Sequence, residues 1–219
     1  MIEFIPKLLD ADTLAKIQAL VQQHEFVDGK TTAKGLAAQA KNNLQAKPME
    51  KLQNELESIL FPLLRDHPRI AGRIMPVRLS RPLISRYAAG HSYGKHYDRP
   101  IMQTPGPLRT DFSATVFLSS DYQGGELVIY ADGADMRIKG KAGDIVLYPS
   151  GQLHEVLPVT GGERLVLVLW IQSLFRDEQI RQTVAELGEV HKKLRETDPA
   201  ETLKLLRAIN TLTRKFGEP

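Results

Sequence analysis

The chain has 219 residues, 42% of them hydrophobic, and carries 29 Lys and Arg against 26 Asp and Glu, a net charge of +3 with His neutral. That length can bury a substantial core and predicts one catalytic domain with attached helices rather than two independent domains. The absence of cysteine excludes disulfides, thiolate metal sites and a Cys nucleophile, so any metal must sit on nitrogen and oxygen.

The basic residues are scattered rather than gathered in one tract, so no nucleic-acid partner is expected. Met1-Ile-Glu-Phe-Ile-Pro6 lacks a basic head followed by a long apolar run, and no stretch reaches the length of a membrane span. A soluble, cytoplasmic protein without membrane association is the expectation.

After Asp10, Leu14, Ile17, Leu20 and Val21 fall on one helical face, and Pro48 opens a second such pattern through Met49, Leu52, Leu56, Ile59 and Leu63. Between them, Glu25 to Lys47 reads as a polar loop, long enough to have a functional or covering role. From Pro76 onward, short runs rich in β-branched and aromatic residues alternate with turns: 77–87, 111–119, 126–131, 136–139, 144–148, 153–159 and 164–172. Gly124-Gly125, Asp132-Gly133, Gly143-Asp144 and Gly161-Gly162 separate them, and strands so punctuated predict an antiparallel jelly-roll or barrel. After Phe175 the helical period returns, and Asp198-Pro199-Ala200-Glu201 reads as a helix N-cap and first turn. Leu205, Ile209, Leu212 and Phe216 then form an apolar stripe that must dock on the β core or on a second subunit, which leaves a homodimer through the terminal helices open. The division expected is 1–75 for N-terminal helices and loop, 76–175 for the β domain and 176–219 for a C-terminal helical extension.

His96-Tyr97-Asp98, with His154 and Arg164 far downstream, carries the chemistry. Side chains two apart on a strand share a face, so His96 and Asp98 can point at one ion while Tyr97 points away. Alone, such a pair is more often an ordinary hydrogen-bonded pair. His154 lies in an apolar strand-like run where an unpartnered imidazole is costly to bury; it is either a ligand or a satisfied core histidine. Two imidazoles and a carboxylate on one face of an octahedral iron(II) leave three positions open, which is the arrangement of a non-haem oxygenase. Arg164 opens the most apolar strand. Its planar fork suits a carboxylate, although a residue just after Gly161-Gly162 can equally be exposed. His91 is the rival ligand; His24, His67 and His191 read as surface residues.

The order of these elements resembles the prolyl 4-hydroxylase-like Fe(II)/2-oxoglutarate-dependent dioxygenases, specifically the bacterial PKHD-type hydroxylases. The stretches that carry the resemblance are Tyr87-Ala-Ala-Gly90-His-Ser-Tyr93-Gly-Lys-His96-Tyr-Asp98, Gly124-Gly125-Glu126-Leu127, Lys141 to Ser150, and His154 followed ten positions later by Arg164. Asp28-Gly-Lys-Thr-Thr-Ala-Lys-Gly35 with Lys41-Asn42-Asn43 resembles the N-terminal signature of the subgroup. The resemblance implies a mainly β fold with flanking helices, its core a double-stranded β-helix (jelly-roll, cupin-like) with N- and C-terminal helical elements. It implies Fe(2+) held by His96, Asp98 and His154, with 2-oxoglutarate chelating the iron and its far carboxylate on Arg164. O2 and L-ascorbate complete the implied cofactors. The implied reaction hydroxylates an unactivated C–H with release of succinate and CO2, on a prolyl peptide or another peptide or small molecule. Tyr87 and Tyr93 are candidates for hydrogen bonds in the pocket, with core packing as the plainer alternative. One departure is Phe117, near a place where animal prolyl hydroxylases often put a tyrosine or threonine beside the cosubstrate carboxylate. Arg99-Pro100 and Thr104-Pro105-Gly106-Pro107 suggest a constrained loop beside the substrate. Three rival readings stay open from sequence: a non-catalytic iron and 2-oxoglutarate sensor, an iron-uptake-related protein, and a cupin-like metalloenzyme that does not use 2-oxoglutarate.

Overall fold

The computed structural model describes residues 1–32, 36–103, 106–131 and 133–218. Ala33-Lys34-Gly35 of the N-terminal motif, Thr104-Pro105 of the expected constrained loop and Asp132 of the Asp132-Gly133 turn lie outside the described residues.

β1 (Glu3–Ile5) leads into α1 (Ala11–Gln22), which Asp10 caps by accepting from the Thr13 amide at 2.8 Å while Ile17 and Val21 are buried. The stretch read as a loop is instead built of short elements: β2 (Phe26–Asp28), a 3-10 turn, α2 (Leu36–Ala40), β3 (Lys41–Asn42) and β4 (Leu44–Ala46). Its polar composition hid them. These strands are only two or three residues long, and tertiary pairing rather than apolar alternation holds them. Next come α3 (Glu50–Asp66), α4 (Pro68–Arg73), β5 (Pro76–Leu79), β6 (Leu83–Tyr87), β7 (Ser92–His96), β8 (Ile101–Met102) and β9 (Leu108–Arg109). The chain continues through β10 (Phe112–Phe117), β11 (Tyr122–Gly124), β12 (Leu127–Ala131), β13 (Ala134–Ile138), β14 (Ile145–Pro149), β15 (Leu153–Val156), β16 (Val159–Gly162) and β17 (Arg164–Ser173), and ends with α5 (Glu178–Leu194) and α6 (Pro199–Phe216). The expected run 77–87 is thus broken at Ser80-Arg81-Pro82, and 153–159 at Leu157-Pro158, because proline cannot donate to a ladder.

The chain forms two compact units, Met1–Leu60 with Leu79–Ile171, and Phe61–Arg78 with Gln172–Pro219. In the first, among the described residues, one sheet runs β1-β14-β10-β17-β6-β4-β2 and another β13-β12-β15-β7-β3, with antiparallel pairing throughout. From β6 to β17 the chain alternates between them: β6, β10, β14 and β17 in one, β7, β12 and β15 in the other. That alternation is the double-stranded β-helix. Tyr87, Phe117, Leu127, Ile129, Val146, Tyr148, Val156 and Val166, drawn from both sheets, pack as one buried cluster.

In the second unit α4 and α6 both lie against α5, with Arg73 and Glu189 paired at 3.2 Å. Asp198 caps α6 as the sequence suggests, accepting from the Glu201 amide at 3.1 Å. Leu205, Ile209 and Leu212 of the expected stripe are half-buried, and α5 is a neighbour that the sequence reading did not weigh.

Candidate active site

β7 and β15 are adjacent, and their register sets His96 directly opposite His154. The imidazole centroids are 4.3 Å apart. Asp98 lies just beyond the end of β7 rather than on it, and Tyr97 between them is exposed. One ligand atom from each of His96, Asp98 and His154 can be chosen so that all three lie within 4.8 Å of one another, which places them within reach of a single ion.

Each of the three is oriented by a second contact. His96 Nδ1 is 2.8 Å from the Gly94 carbonyl and His154 Nδ1 2.9 Å from the Gln152 carbonyl, so each Nδ1–H donates and each Nε2 keeps its lone pair for an ion. Ser113 Oγ donates to Asp98 Oδ2 at 2.5 Å and meets Ser150 Oγ at 2.8 Å. His154 Nε2 is 3.8 Å from Asp98 Oδ2. Burial first, then the neighbouring His154, pushes His96 well below the usual imidazole value, against the opposing pull of the Gly94 carbonyl and Asp98. The ring is therefore neutral, the form that binds a metal.

A cavity of about 160 Å³ opens beside the triad and reaches Arg164. Arg164 is 1% exposed, and its Nε and Nη1 have no hydrogen-bond partner among the described residues. Its guanidinium carbon stands 5.0 Å from the Tyr87 ring centroid and 5.7 Å from that of Phe117. A buried guanidinium with donors left over is costly unless an anion is to be bound, so the residues present fit a ligand that ends in a carboxylate. The triad fits iron(II) in the same way, with two imidazole nitrogens and one carboxylate oxygen.

The structure brings all six sequence candidates together. Tyr87 lines the cavity under Arg164, and Tyr93 lines it with its ring stacked on His96 at 3.6 Å between centroids. The rival His91 is not part of the cluster; its Nδ1 accepts from the Ala88 amide at 3.2 Å and closes a local turn. His24, His67 and His191 are half-buried rather than at the open surface. Phe117 is fully buried and is not among the cavity-lining residues, whereas Thr115 and Tyr148 are. Burial, then the Asp98 charge, pushes the Tyr148 phenol well up, against the hydrogen bond with Thr115 and the positive charge of Arg164. Sequence reasoning missed Thr115 and Tyr148 because β10 and β14 are buried on both faces, which erases the alternation that marks an inward side. It also missed Lys41 and Gln45, buried polar residues that reach the cavity from the supposed loop.

Residues 82–172 match the family model of the 2OG-Fe(II) oxygenase superfamily. Over its whole length the chain is similar to a PKHD-type hydroxylase of Klebsiella pneumoniae, 38% identical with 100% of each chain covered. A PKHD-type hydroxylase of Alteromonas mediterranea is also 38% identical, with 98% of each covered. This chain belongs to the PKHD-type hydroxylases. It is a 2-oxoglutarate-dependent dioxygenase, and the cofactors of this PKHD-type chain are Fe(2+) and 2-oxoglutarate. Among solved structures, a Trichoplax adhaerens prolyl hydroxylase in complex with a hypoxia inducible factor peptide fragment superposes with a TM-score of 0.61 at 18% identity. The alignment covers 78% of this chain and 82% of that one, and supports the fold. No helix among the described residues is long and apolar enough to cross a membrane.

Proposed function

We propose that His96, Asp98 and His154 hold the iron(II), and that Arg164 anchors the far carboxylate of 2-oxoglutarate, in an enzyme that hydroxylates a C–H bond of a peptide or small molecule. The observation that carries this reading is a fully buried guanidinium, its Nε and Nη1 without hydrogen-bond partners among the described residues, lining the same cavity as the triad. When bound, the iron and its cosubstrate supply the oxidising power, with succinate and CO2 as co-products.

The protein's residues do the rest. The Gly94 and Gln152 carbonyls lock the two imidazoles in the tautomer that leaves Nε2 free. Ser113, backed by Ser150, holds Asp98 Oδ2 by a hydrogen bond. Thr115 and Tyr148 offer hydroxyls in the same cavity for the second contact to the cosubstrate carboxylate, the role left open at Phe117. Tyr93, stacked on His96, walls one side of the site and keeps water from that face. A prolyl peptide is the leading substrate, since the Trichoplax enzyme of the same fold is solved with a peptide.

The test is anaerobic titration of the iron(II) protein with 2-oxoglutarate. A weak visible charge-transfer band should appear on chelation, and oxygen should then release succinate. Arg164→Ala should retain iron while needing far more 2-oxoglutarate for the band. An unchanged requirement would remove Arg164 from the site.

A further inference from the structure

A reaction that splits O2 between succinate and a C–H bond needs a C–H bond within reach on every turnover. When no primary substrate occupies the cavity, the reductants at hand are the cavity's own side chains. Its described lining includes Tyr87, Tyr93, Tyr97, Met102, Tyr148 and Trp170, all of them oxidisable.

Their placement ranks them. Tyr93 is half-buried and lies flat against His96, with ring centroids 3.6 Å apart and planes inclined by 13°. An electron-rich ring is thus in direct contact with an imidazole of the triad. Tyr148 meets the other imidazole, His154, edge-on at 5.1 Å between centroids, and its phenol is hydrogen-bonded with Thr115. Among the described residues, Tyr87, Tyr97 and Trp170 make no ring contact with either imidazole. Tyr87 packs under Arg164, and Tyr97 is 63% exposed to bulk water. Tyr93 is also held in place. β3 pairs with β7 and sets Lys41 opposite Tyr93, with Lys41 Nζ 5.3 Å from the ring centroid.

We propose that Tyr93 is an internal oxidation site of this enzyme: in turnover without primary substrate, a ring C–H bond beside the phenol carbon is hydroxylated and the tyrosine becomes a catechol. One atom of O2 enters that C–H bond as the new hydroxyl, and the other ends in succinate. 2-Oxoglutarate gives up two electrons as it loses CO2, and the ring gives up the other two, so O2 is fully reduced. This rests on the dioxygenase reading and deepens it, because it names the side chain that is modified when the site runs empty. The modification is covalent, so it marks the protein after the iron and cosubstrate have left.

The experiment needs no primary substrate. Iron(II) protein is titrated anaerobically with 2-oxoglutarate until the visible band is complete, exposed to isotopically heavy O2, digested and read by peptide mass spectrometry. The peptide containing Tyr93 should gain one heavy oxygen atom, and fragment ions should place it on that ring. The gain should be lost when either 2-oxoglutarate or iron is omitted. Oxygen on another lining side chain and not on Tyr93 overturns the site, as does oxygen drawn from water or gained equally without 2-oxoglutarate. If the band appears and Tyr93 stays unlabelled, this inference falls alone. If the band does not appear, the dioxygenase reading falls, and the oxidation site with it.

Discussion

At the scale of single residues, the site depends on a few contacts whose loss separates into distinct phenotypes. Asp98→Ala removes the carboxylate and should abolish both iron retention and succinate formation. Ser113→Ala leaves all three donors in place but frees Asp98 Oδ2 from the hydroxyl that holds it. Iron(II) affinity should then fall by about tenfold to a hundredfold, read by metal titration, while the 2-oxoglutarate requirement of the loaded enzyme changes little. Arg164→Ala should retain iron and raise the 2-oxoglutarate requirement by roughly tenfold to a hundredfold, the equivalent of about 1.5–3 kcal/mol for a charged hydrogen bond. The depressed His96 value also has a consequence for stability. An unfolded chain takes up this proton near the ordinary value of 6.5, and the folded metal-free protein only at lower pH. The contribution of His96 to stability is therefore complete above that value and is lost as pH falls below it. Metal-free protein should melt lower at about pH 5 than at about pH 7.5, and His96→Gln should shrink the difference. An equal difference in the variant would locate the effect elsewhere.

At the scale of elements, two short pieces of backbone set the geometry. Gly125 adopts φ +68°, and a Cβ there would lie 2.8 Å from Val159 Cγ2 and 3.1 Å from Arg164 Cδ. Gly125→Ala should destabilise the fold by more than about 1 kcal/mol and displace the guanidinium. The variant should bind iron normally yet need more 2-oxoglutarate; a normal requirement would mean that Val159 and Arg164 adjust without cost. The segment between α1 and α3 is the second such piece. Read as a polar loop, it instead adds β3 to one sheet and β4 to the other, and through them brings Lys41 and Gln45 into the cavity. Its strands were invisible in the sequence because two or three residues give no period to count, and their stability comes from neighbours distant in sequence. By contrast the helix beginning after Asp198 was legible to the residue, since a cap is a local contact between a side chain and an amide three positions on.

At the scale of the whole molecule, the triad joins β7 to β15, two strands far apart in sequence, so loading it ties the β-helix together. Iron(II) with 2-oxoglutarate, each at about a hundred times its dissociation constant, should stabilise the folded chain by a few kcal/mol. For a chain of this length that raises the melting temperature by several degrees, and His154→Ala should abolish the rise. The β-rich middle and the helical flanks were written in the sequence, because composition and periodicity are local properties of the chain, and the resemblance to the family singled out the His96, Asp98 and His154 that the structure brings together. The antiparallel register that sets His96 against His154 was not so written, nor were the two unpartnered nitrogens of the buried Arg164 guanidinium, nor the delivery of Thr115, Tyr148 and Lys41 to one cavity. Those follow from which strands become neighbours and which side chains lose their water. Such pairing and burial arise only when distant segments of the chain pack together.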